Sequence, residues 1–136
     1  MNYWLVKSEP FKFSWDTFVS KGGDMWDGVR NYAARNNLMA MKEGDLVFFY
    51  HSNEGLEIVG LAKVSKEHYP DPTTDDPRWA VVDLVPVKKL NQTVSLAQIK
   101  ADPVLQEMAI VRQSRLSVSP VSPTEFDRVM DLANEI

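Results

Sequence analysis

Two neighbouring stretches of this chain, Leu46 to Ser52 and Leu56 to Ser65, are apolar on both faces for much of their length. In an extended strand successive side chains point to opposite sides, so a sheet with one wet face alternates apolar and polar positions. These stretches do not alternate cleanly. Their sheet must therefore be covered on both sides or closed on itself. Glu43-Gly44-Asp45 turns the chain into the first stretch and Asn53-Glu54-Gly55 turns it into the second, which makes the pair a hairpin. The expected architecture is α+β, a small β-barrel flanked by short helices.

The 136 residues fit one domain, residues 1–136, of a size that buries roughly two thirds of its unfolded surface. Hydrophobic residues make up 44% and charged residues 25%, a balance that suits a globular chain and not a disordered one. Because there is no cysteine, disulfides, thiolate zinc, iron–sulfur clusters and cysteine nucleophiles are excluded. No apolar run approaches the roughly 20 residues of a membrane helix. The opening MNYWLVKSEP reads as a first strand and not as a signal peptide. A cytoplasmic protein is expected, bacterial sooner than nuclear, since no basic localisation tract occurs.

Further along, Tyr3 to Val6 reads as a strand and Ser14 as the cap of a helix over Trp15 to Lys21 that stops at Gly22-Gly23. Tyr32 to Met41 is expected to be helical despite lacking a clean apolar stripe. Asp71 to Pro77 is a loop, Trp79 to Val87 a strand, and Leu90 to Thr93 a connector. Ser95 opens a short helix to Ala101, and Asp102-Pro103 opens another through Met108. Arg112 to Val118 reads as a last strand. The capping box Ser122-Pro123-Thr124-Glu125 precedes a helix with Phe126, Val129, Met130 and Ala133 on one face.

Catalytic signatures are weak. His51 and His68 with Asp45 and Glu57 lack metal-site spacing, so hydrogen-bonded or partly exposed histidines are expected, with no metal and no cofactor. Asp71, Asp75 and Asp76 fall in the loop and read as a solvated turn. The chain carries 15 basic and 19 acidic side chains, net −4, which argues against a nonspecific nucleic-acid coat. However, the windows 26–42 and 108–122 together carry +4, so a basic face forms if they meet. Trp26-Asp27-Gly28-Val29-Arg30-Asn31-Tyr32 combines an indole, a guanidinium, a carboxamide and a phenol, which suits a planar base; Trp26 and Tyr32 as core residues is the competing reading. Arg112-Gln113-Ser114-Arg115 either positions phosphates or keeps an edge strand soluble.

The chain resembles the EVE domain family over residues 2–133. The resemblance is carried by Tyr3 to Pro10 (YWLVKSEP), Trp26 to Tyr32 with Ala34-Arg35-Asn36, Gly44-Asp45 through Phe49-Tyr50-His51-Ser52, Ile58-Val59-Gly60, and Arg112 to Val118. It implies a PUA-like barrel and, more distantly, similarity to YTH domains. It also implies noncatalytic binding of modified nucleobases in DNA or RNA, through a base-stacking pocket. In that frame Trp26 forms a pocket wall, with Arg30, Asn31 and Tyr32 close by. Lys7 and Ser8 line the entrance, His51 and Ser52 reach in from the hairpin, and Arg112, Ser114 and Arg115 steer the backbone. The family pattern leaves the second wall open among Trp4, Phe49, Tyr50 and Trp79. The alternative function is recognition of structured RNA by shape, without base flipping.

Overall fold

A computed structural model describes residues 1–135. In chain order the elements are β1 (Tyr3–Ser8), α1 (Trp15–Lys21), β2 (Asp24–Met25), α2 (Tyr32–Ala40), β3 (Leu46–His51) and β4 (Glu57–Pro70). They continue with β5 (Ala80–Ser95), α3 (Leu96–Ala101), α4 (Ala109–Arg112), β6 (Val118–Val121) and α5 (Pro123–Leu132). The capping signals act as the sequence indicates. Ser14 accepts from Thr17 N–H, Gly22 ends α1 in the left-handed region at φ +75°, and Ser95 and Ser122 close reciprocal capping boxes with Gln98 and Glu125.

The six strands form one sheet in the order β2-β5-β4-β3-β1-β6, with β1 and β3 parallel and the other pairs antiparallel. This corrects the expectation of a closed barrel. The sheet has two free ends, β2 and β6, which do not pair with each other. The chain gives physical reasons: β2 is only two residues long, confined between Gly22-Gly23 and Gly28, and β6 contains Pro120, which has no N–H to donate. Helix α2 packs across the gap, where Asn37 Nδ2 donates to the Val118 carbonyl at 2.7 Å.

Apolar residues on both faces of the strands turn out to serve two cores. Trp4, Val6, Val47 and Phe49 pack on one side with Trp15, Phe18, Trp26 and Leu38, whereas Leu5, Phe48 and Tyr50 pack on the other with Ile99, Leu105, Phe126 and Val129. The sheet is covered, not closed. Three further expectations also change. Leu90 to Thr93 is not a connector but part of β5, because Val94 and Ser95 pair with β4 while Gln92 N–H donates to Ala133. Asp102-Pro103 starts no helix, since Asp102 accepts from Val104 N–H and the chain proceeds by i→i+3 turns through Leu105 and Met108. Arg112 to Val118 is not a strand: Arg112 closes α4, Leu116 N–H turns back onto Gln113, and sheet pairing resumes only at Val118.

Candidate functional site

At a seam between the end of β1 and β2 lies a cavity of about 420 Å³. It is lined by Lys7, Ser8 and Glu9 at the end of β1, by Lys12 and Phe13, and by Asp24 to Asp27 in and just after β2. The end of β1 stands on one side of it and β2 on the other. Trp26 is 8% exposed. Its ring packs edge-on against Phe49 with centroids 5.5 Å apart and against Phe13 at 6.1 Å, while its backbone N–H is held by Val82 O at 2.8 Å. Thus both readings of Trp26 hold geometrically, since it belongs to the core and also walls the cavity. The second aromatic lining residue is Phe13, which the sequence reading passed over. Trp4, Phe49 and Tyr50 are buried in the two cores, and Trp79 stacks on Tyr32 at 5.2 Å outside the cavity lining.

The polar lining is mixed in sign. Burial pulls the Lys7 ammonium below its usual pKa, and Nζ donates to Ser114 O at 2.7 Å. Ser8 Oγ donates to Phe13 O at 2.5 Å, which fixes the lining loop. Asp24 Oδ1 accepts from Met25 N–H and Oδ2 faces Lys21 Nζ at 2.6 Å. An aromatic wall, a hydrogen-bond donor from Lys7, and acceptors on the Ser8 hydroxyl, Asp24 and Asp27 can hold a flat, polar-edged ring.

Beside it, a shallower hollow of about 360 Å³ is lined by Asn31, Ala33, Gln113, Ser114, Arg115 and Leu116. The two basic windows therefore meet here, linked to the cavity through the bond from Lys7 to Ser114. The charge is nevertheless partly neutralised. Arg30 donates to Asp71 at 2.9 Å and Arg112 pairs with Glu107 at 2.5 Å, while Arg115 forms no ion pair among the described residues.

Several expected residues are held by local partners. Asn31 Oδ1 caps α2 by accepting from Ala34 N–H at 3.0 Å. Tyr32, half exposed, accepts from Arg78 Nη1 at 3.0 Å. His51 Nε2 accepts the Trp15 N–H at 3.0 Å, and Ser52 N–H donates to Ser8 O. Of the sequence-selected residues, Lys7, Ser8 and Trp26 converge on the cavity, Asn31, Ser114 and Arg115 on the adjoining hollow, and Arg30, Tyr32, His51, Ser52 and Arg112 on neither. Asp71, read as part of a solvated turn, is instead buried and accepts from Gly28 N–H, Arg30, and both Thr73 N–H and Oγ1.

This architecture, a six-stranded sheet covered by helices, is shared with other solved chains. The EVE domain family model matches residues 2–132, and the chain belongs to the EVE domain family. It is 39% identical to mouse thymocyte nuclear protein 1 over 96% of this chain and 73% of the relative. A crystal structure from Agrobacterium tumefaciens superposes with a TM-score of 0.96 at 50% identity, covering 98% of this chain and 93% of the other. The human THYN1 protein, solved in complex with 5-methylcytosine-containing DNA, superposes with a TM-score of 0.91 at 36% identity over 98% of both chains. A Zygosaccharomyces rouxii YTH domain shares the fold at a TM-score of 0.62 and 13% identity, covering 97% of this chain and 86% of the other.

Proposed function

We propose that this protein binds nucleic acid carrying modified bases without catalysing a reaction, and that one base leaves its stack to enter the seam cavity against Trp26 and Phe13. The carrying observation is the cavity itself: two aromatic side chains, a donor from Lys7, and acceptors from Ser8, Asp24 and Asp27 around a volume of about 420 Å³. The human relative's complex with 5-methylcytosine DNA supports the partner class. A methyl group in such a cavity is worth roughly 1–3 kcal/mol, so discrimination is modest and set by shape. Asn31, Ser114 and Arg115 in the adjoining hollow take the strand's backbone.

The test is titration of oligonucleotides with and without one 5-methylcytosine, at stated salt, on the parent, Trp26→Leu and Arg115→Ala. Leucine keeps apolar bulk and removes the stacking surface. Trp26→Leu should remain folded, with a lowered thermal midpoint, and lose roughly 1–3 kcal/mol of affinity for the modified strand. Arg115→Ala should weaken modified and unmodified strands alike and reduce the salt slope by about one. A folded Trp26→Leu protein that binds and discriminates like the parent would remove the cavity from the site.

A further inference from the structure

Phe11 is 93% exposed, although it lies two residues from Phe13, which packs against Phe18, Trp26 and Phe49. An isolated exposed apolar side chain is ordinary. This one is held in place. Glu9-Pro10-Phe11-Lys12 forms a β-turn in which Glu9 O accepts from Lys12 N–H at 2.9 Å and from Phe13 N–H at 2.8 Å. Pro10 occupies the second turn position, where its ring fixes φ, and Ser8 Oγ ties down the Phe13 carbonyl. The residues on both sides, Ser8, Glu9, Lys12 and Phe13, line the seam cavity, so the ring is presented at its rim. Beside it Lys12 extends into solvent, its side chain 77% exposed and 3.5 Å from Glu9.

We propose that Phe11 is a wedge: it enters a DNA duplex beside the base drawn into the cavity and fills the stacking space that base vacates. The proposal rests on the base-binding reading above. Extruding a base from a duplex forfeits its stacking and pairing, and an aromatic side chain slid into the gap recovers part of the stacking. A backbone turn fixed in advance by proline leaves only the two side-chain torsions of Phe11 to order on insertion. The neighbouring Lys12 supplies positive charge toward the flanking phosphate.

The experiment compares the parent with Phe11→Ala and Phe11→Trp on two probes of one sequence, each with a single 5-methylcytosine: a single strand and a duplex. Thermal midpoints establish that the variants fold. Phe11→Ala should weaken duplex binding about tenfold and single-strand binding less than about twofold, while Phe11→Trp keeps duplex affinity near the parent's. Equal losses on both probes, or none on the duplex, would overturn the wedge and leave the cavity reading standing. A parent that binds the single strand but not the duplex would do the same. A parent that binds neither probe overturns both.

Discussion

At the residue scale, Asp71 shows how the loop carrying Trp26 is held. Burial opposes its ionisation, but hydrogen bonds from Thr73, Arg30 and Gly28 outweigh this and lower its pKa from 3.8 to about 2. Gly28 sits at φ +75°, a conformation that suits glycine, and its N–H reaches the carboxylate. Since the folded pKa lies below the unfolded one, the contribution is complete above about pH 4 and is lost as pH falls toward 2; by linkage it amounts to about 2 kcal/mol. Asp71→Asn should therefore lower the thermal midpoint at pH 7 by roughly 5–10 °C. The gap to the parent should close as both are acidified toward pH 2. A pH-independent difference would place the effect in packing instead of charge.

Among the elements, α1 docks through two contacts that depend on each other's geometry. Gly60 on β4 leaves room for the Trp15 ring, and a Cβ there would lie 2.6 Å from it. Trp15 is buried against Phe18 and Phe49 and has nowhere to retreat. Gly60→Ala should destabilise the protein by about 1–3 kcal/mol, read from chemical denaturation midpoints. The second contact is His51, whose Nε2 must be unprotonated to accept the Trp15 N–H. Burial lowers its pKa below 6.5 against the opposing pull of Glu57 and Asp16. A lowered histidine pKa means that stability is full above pH 6.5 and falls on acidification as the unfolded chain takes up the proton. Between pH 7 and 5 the parent's thermal midpoint should decline, and His51→Gln should flatten that slope; equal slopes would remove His51 as the cause.

For the whole molecule, the seam cavity opens between β1 and β2, over the core that holds Phe13 and Trp26. On the core face away from the cavity, α5 stacks Phe126 between Tyr3 at 4.0 Å and Phe48 at 5.0 Å, and Val129 and Ala133 are buried beneath it. Removing residues 123–136 strips that cover from β3 and from β1, the strand that carries Lys7 and Ser8 to the cavity. The truncated chain should lose cooperative unfolding, followed by circular dichroism on heating. A native-like transition at an unchanged midpoint would show that α5 is dispensable.

Local chemistry determined much of this protein before any packing was known. Ser14, Ser95 and Ser122 cap their helices through residues three positions away, Gly22 stops α1, and the hairpin of β3 and β4 follows from its turn, because each of these depends on neighbours in sequence. Trp26 stands out because its own segment combines an indole with polar and charged groups, whereas Lys7 and Ser8 are reached only through the family resemblance; all three line the cavity. The tertiary structure alone decided the rest. Strands apolar on both faces are satisfied equally by a closed barrel and by a sheet covered on two sides, and only the short β2 and Pro120-bearing β6 settle the matter. Leu90 to Thr93 is polar enough to pass for a connector, yet the strand runs through it to Val94 and Ser95 on β4, and Gln92 N–H finds the Ala133 carbonyl after α5. The same holds for function-bearing side chains. Arg30 and Arg112 have the right chemistry for nucleic acid, but Asp71 and Glu107 engage them first. Phe13 enters the site because β1 and β2, distant in the sheet order, are brought to face each other across a gap that sequence periodicity does not encode.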